Sequence, residues 1–250
     1  MTTIPDPSLT RPGGSPSFRA SSRAAGVLYL LTFVSIPTLF LYNQVKSDPA
    51  FIAGVGPDGP VILGGVLEVV VALACIGTAV ALFPVVKRQN ESLALGFVGA
   101  RILEAAAIFA GVVALLSIVT LRQAGVGEDA VITGQALLAQ HTWTTLLGQG
   151  LIPAVNALLL GPLMFSSRLI PRILPVFGFI GAPLLLTGAA GVLFGLWSPV
   201  SVIPALAALF LTVWEFGMGV WLVSRGFRPD AIARLTASDA DRSLQIGAGR

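Results

Sequence analysis

Apolar residues run along this chain in long unbroken blocks, without the strict alternation of a half-buried strand. A helix needs about 20 apolar residues to cross the hydrocarbon core of a bilayer. Six segments approach or exceed that length: residues 24–42, 61–83, 93–121, 137–164, 173–196 and 202–223. Backbone polar groups must be paired internally in lipid, which leaves helices or a closed barrel. A barrel would show alternating strands, so the pattern predicts an all-α polytopic membrane bundle of six transmembrane helices. The fourth segment is longer than a perpendicular crossing requires and is expected to tilt or to pass beyond the interface. The fifth and sixth are joined by a tight turn, Trp197 to Ser201.

The polar stretches complete the division of the chain. Residues 1–22, MTTIPDPSLTRPGGSPSFRASS, are rich in Pro, Ser, Thr and Gly and are expected to be a disordered tail. Residues 23–224 form the membrane domain. Residues 225–250 form a polar tail with a short helix at Asp230 to Leu235 and no further domain. The first apolar run, about 19 residues, exceeds the roughly 7–15 of a signal-peptide core and is followed by no small-x-small cleavage site. It is read as a retained helix.

Composition agrees with the pattern. Of the 250 residues, 55% are hydrophobic and 11% charged, against about 25% charged in a soluble domain. The basic residues are distributed unevenly. With the N-terminus in the cytoplasm, the cytoplasmic segments hold Arg11, Arg19, Arg23, Lys87, Arg88, Arg168, Arg172, Arg225, Arg228, Arg234, Arg242 and Arg250. The outer loops hold Lys46 and Arg122, and Arg101 remains in a span. The positive-inside rule therefore predicts cytoplasmic N- and C-termini. It also accounts for the pI of 9.6 without a nucleic-acid partner. The bilayer is the expected environment, with a homo-oligomer or another membrane protein as further partners to consider.

Prolines 37, 153, 183 and 204 fall inside the apolar segments and are expected to interrupt them, since each removes a backbone donor. The fifth segment is glycine-rich, and Gly191 and Gly195 have the spacing that allows close helix packing. The four tryptophans, Trp143, Trp197, Trp214 and Trp221, read as interfacial belt or packing residues.

The candidate chemistry is a set of charges where apolar residues belong. The third segment, GARILEAAAIFAGVVALLSIVTL, carries Arg101 and Glu104, and two further acids, Glu68 and Glu215, lie inside other spans. Each charge costs at least about 2.5–3.5 kcal/mol at a helix centre, so such groups face the bundle and find partners. Counting at 1.5 Å per residue, Arg101 and Glu215 both lie about 12 Å from the cytoplasmic ends of their helices. An Arg101–Glu215 bridge is expected, with Glu104 one turn above Arg101 as a second partner. Glu68 and His141 lie roughly 6–11 Å below the outer surface and are expected to pair. His141, Gln149 and Asn156 make the fourth segment polar as well. The seam of Arg101, Glu104, Glu215, Glu68, His141 and Asn156 has two readings: a clamp that fixes helix register, or a site for a small polar ligand, ion or proton.

No catalytic motif accompanies it. HExxH, GxSxG and phosphate-loop patterns do not occur. A single Cys75 and a single His141 make a poor start for a metal or redox centre, so no catalytic residue, metal or cofactor is assigned, and a non-enzyme is the simpler reading.

Three stretches, RAAGVLYLLTFVSIP, GARILEAAAIFAGVVALLSIVTL and NALLLGPLMFSSRLIPRILPVFGFIGAPLLL, resemble the bacterial membrane family of domain of unknown function 4386. The resemblance covers about Arg19 to Arg225. Its most specific pieces are Arg101-x-x-Glu104 and the stretch Asn156 to Pro175. It implies a multi-helix inner-membrane protein and supplies no substrate.

Overall fold

The computed structural model describes residues 16–54, 56–198 and 201–237. The expectations for the ends of the chain, 1–15 and 238–250, lie outside these residues, as do Pro199 and Val200 of the turn before the last span. Six helical stretches are long and apolar enough to cross a membrane: Phe18–Leu41, Gly59–Val86, Glu91–Gln123, Glu128–Ser167, Ile173–Leu193 and Val202–Ser224. They occupy the six segments the sequence predicts, and no strand occurs among the described residues. Outward-facing side chains such as Leu39, Phe40, Ile132 and Val202 are at least 70% exposed, as a lipid-facing surface requires.

The first span departs most from expectation. Helix α1 (Pro16–Leu31) begins inside the stretch expected to be disordered. Phe18 packs against the main core, and the buried Ser22 hydroxyl donates to the Leu222 carbonyl at 3.0 Å. Tertiary contacts therefore order what composition alone leaves unfolded. The helix then breaks into a 3-10 turn, Thr32–Ser35, followed by the short α2 (Thr38–Leu41) and α3 (Asn43–Ser47). Pro37 causes the break by lacking an N–H. Thr32 and Thr38 return hydroxyl donors to the Tyr29 and Ser35 carbonyls at 2.7 and 2.6 Å.

The other prolines leave their helices continuous. Pro84 lies in α4 (Gly59–Val86), Pro153 and Pro162 in α6 (Val131–Ser167), and Pro183 in α7 (Ile173–Leu193). Ser166 and Thr187 donate to the carbonyls of Pro162 and Pro183 one turn back, and α6 and α7 run on through their prolines. Pro204 stands in the first turn of α8 (Val202–Ser224), where no helical donor is needed. The interruptions expected at Pro153, Pro183 and Pro204 are thus absent. The third span, α5 (Glu91–Gln123), starts at Asn90, whose side chain accepts from the Leu93 amide at 3.0 Å. Helix α6 has 37 residues, about 55 Å at 1.5 Å per residue, so it outruns the hydrocarbon core as expected.

The Gly191/Gly195 pair does not join two helices. Gly191 receives the Trp197 ring, whose indole N–H donates to the Gly188 carbonyl at 3.0 Å. Gly195 sits in the turn after α7 at φ 70°, a left-handed conformation that favours glycine. Close packing of α7 on α8 comes instead from Gly178, against the buried Trp214 ring, and Gly181, against Leu211. Beyond α8, residues 229–237 are helical. Ala231 and Ile232 are buried in the main core, and the Arg228 amide donates to the Leu169 carbonyl at 3.0 Å. The start of the polar tail is therefore docked on the bundle.

The six spans close into a ring. Helix α1 packs between α4 and α8, and α4 through α8 each pack on the next in chain order. An even number of crossings brings both ends of the bundle to the same side. Side chains directed at the ring's axis from α1, α4, α5, α6 and α8 therefore meet one another, and this is where the charges lie.

Candidate functional site

Arg101 is the centre of the site. It is 1% exposed, and its planar guanidinium is committed in three directions. One terminal nitrogen donates to Glu104 Oε2 at 3.0 Å and contacts Cys75 Sγ at 3.5 Å. The other donates to Glu215 Oε1 at 2.7 Å. The guanidinium carbon also stands 5.0 Å from the centre of the Tyr29 ring and 5.7 Å from that of Phe97, placing aromatic faces where water would otherwise be needed. Five side chains from α1, α4, α5 and α8 thus surround one cation.

Helix α6 adds the next partner. Asn156 is buried, and its amide Nδ2 donates to the same Glu104 Oε2 at 2.7 Å. Glu104 Oε2 therefore takes two donors, while no described hydrogen bond reaches its Oε1 or the Oε2 of Glu215. Arg101 Nε, Asn156 Oδ1 and the Tyr29 hydroxyl are also buried without a hydrogen-bond partner among the described residues. Such orphans are rare in finished cores. Three of them stand around one ion triad.

A cavity of about 240 Å³ adjoins the triad. Arg101, Glu104, Glu215 and Cys75 form part of its wall, and Gln149, Thr32, Ser35 and Thr212 give it further polar groups. The 3-10 turn before Pro37 thus supplies one side of the cavity. The break in the first span faces the charges directly.

The outer pair of the expected seam is arranged differently. Glu68 and His141 are both buried but do not bond to each other. The Tyr42 hydroxyl donates to Glu68 Oε2 at 3.1 Å, and its ring stands edge-on to the His141 ring at 5.5 Å. His141 Nδ1 is 3.3 Å from the Gly111 carbonyl. Gln149 also faces Glu68, which puts this amide between the outer carboxylate and the cavity. Six predicted residues therefore fall into two groups. Arg101, Glu104, Glu215 and Asn156 form the central seam, and Glu68 and His141 are joined through Tyr42.

At the end of the bundle away from the chain termini, Arg122 donates to Asp58 Oδ1 at 3.0 Å and to the Gly54 carbonyl at 2.9 Å, with its guanidinium 4.1 Å from the Phe51 ring centre. This pair ties a loop to α5 and is separate from the seam.

The chain matches the family described as domain of unknown function (DUF4386) over residues 24–226, which reaches into all six spans and takes in every residue of the seam. The chain belongs to the DUF4386 family. The DUF4386 match begins within α1 and ends just past α8, so the helix at 229–237 lies beyond it. No curated protein and no solved structure matches the chain.

Proposed function

We propose that this DUF4386 protein is a bacterial plasma-membrane protein, with both termini cytoplasmic, that binds a small polar ligand or ion at the Arg101–Glu104–Glu215–Asn156 seam. The cavity beside the triad carries this reading. A clamp that served only to hold helices would be filled by side chains, because interiors are close-packed and a void forfeits contacts. Here a half-open recess of about 240 Å³ lies next to the charges, with hydroxyl and amide groups beside apolar side chains on its wall. Ligand sites in transporters use the same ingredients: a discontinuous helix and polar side chains near the middle of the bilayer.

The orientation rests on charge. Arg88, Arg168, Arg172 and Arg228 lie at the end of the bundle shared by both termini, while Lys46 and Arg122 lie at the other. The alternative is a structural or regulatory membrane subunit. Arg101 and Glu215 do join α5 to α8, and Asn156 brings in α6, as a register-fixing clamp would.

Cysteine accessibility separates the two. Thr212→Cys, on a Cys75→Ala background, places a thiol on the cavity wall without touching the triad. Labelling by a small charged thiosulfonate in intact vesicles is the expected result. No labelling at Thr212 or at a second wall position, Gln149→Cys, with exposed loop cysteines reacting normally, would mean a dry clamp.

A further inference from the structure

With Glu104 and Glu215 both ionised, the seam is one positive charge short. Arg101 carries the single cation of the triad, and Glu104 and Glu215 carry two carboxylates. The groups packed around them from the other helices are Tyr29 on α1, Cys75 on α4 and Asn156 on α6, none of which brings a positive charge. Lys46 and His141 belong to the outer group around Tyr42 and Glu68. An uncompensated charge inside a bilayer is costly. The carboxylate oxygens that could take a further cation are Glu104 Oε1 and Glu215 Oε2, which accept no described hydrogen bond and belong to two residues that line the same cavity. Thr32, Ser35, Gln149 and Thr212 add neutral oxygen ligands on the cavity wall.

We infer that the cavity takes a monovalent cation, an alkali ion or a small protonated amine, held between the free oxygens of Glu104 and Glu215. This rests on the reading of the seam as a ligand site and names the class of ligand. One surplus charge matches a monovalent guest, and carboxylate, hydroxyl and amide oxygens are the ligands hard cations prefer. A proton alone would balance the charge without needing the cavity. A proton competes for the same oxygens, so cation binding weakens on acidification.

The test is thermal unfolding of the full chain in detergent at constant ionic strength, with sodium, potassium or methylammonium replacing the bulky N-methylglucamine. The expected result is a melting temperature raised by at least one of the small cations, less so at acid pH, because a ligand of the folded state stabilises it by mass action. Glu215→Gln and Glu104→Gln should each abolish the increase. Each removes the surplus charge and leaves Arg101 one carboxylate, so neither should melt below wild type in N-methylglucamine. An equal increase in wild type and both variants would be a general salt effect and would overturn the proposal. No increase with any cation, while Thr212→Cys is labelled, would overturn the cation and leave the polar site standing. No increase together with an unlabelled Thr212→Cys would overturn both.

Discussion

At the scale of residues, the account turns on Arg101. A guanidinium buried to 1% exposure, with two carboxylates, a thiol and two aromatic faces around it, has its charge balanced by those two carboxylates. Arg101→Met should therefore destabilise the chain by about 3–5 kcal/mol, since it leaves two carboxylates buried and unpaired. Adding Glu104→Gln and Glu215→Gln to that variant should recover part of the loss, measured as melting temperature in detergent. A triple variant that melts no higher than Arg101→Met alone would contradict the coupling. The central contacts were legible in the sequence because depth along a helix is simple arithmetic: Arg101 and Glu215 fall at equal distances from the same side, and Glu104 is one turn from Arg101. The Glu68–His141 pair was not, because Tyr42 comes between them from beyond the Pro37 break. Its ring fits where Gly64 has no side chain, and spacing within one helix carries no trace of such an insertion. Cys75 and Tyr29 were likewise invisible as partners of Arg101, since they approach it from other helices.

Among the elements, the first span shows where pattern and packing disagree. Hydropathy marks a single apolar run, but Pro37 ends α1 early and turns Thr32 and Ser35 toward the charges. The tail residues from Pro16 onward become helical because Phe18 and Ser22 have partners on the bundle. Helices α1 and α8 approach closely at Gly26, where an added Cβ would stand 2.7 Å from the Val223 amide nitrogen and 2.8 Å from the Gly219 carbonyl oxygen. These are backbone atoms and cannot rotate away. Gly26→Ala should cost about 1–3 kcal/mol as overpacking and lower the melting temperature. Gly99→Ala, in an equally helical position with open space around it, should be neutral or stabilising by up to about 1 kcal/mol. Equal losses at the two positions would contradict the packing of α1 on α8.

For the whole molecule, the six helices form a ring whose interior is polar at mid-depth and whose outer face is apolar. The six spans and their order were legible because apolar runs of this length have few other uses. The closure of the ring was not, because hydropathy says nothing about which helix meets which. The predicted topology is checked with single cysteines on a Cys75→Ala background. Glu91→Cys, between the second and third spans, should react with an impermeant reagent from the side that holds the chain ends, and Asp129→Cys from the opposite side. Both reacting from one side would contradict the crossing order. The claim that matters most is that the space beside Arg101 is a hydrated, occupied site. The most direct measurement is an experimental structure in a lipid environment, in sodium or potassium, at a resolution that shows ordered water. The account predicts density in the cavity bonded to Glu104 Oε1 and Glu215 Oε2. A seam closed on itself, with Gln149 and Thr212 packed into the space and nothing between the carboxylates, would contradict it.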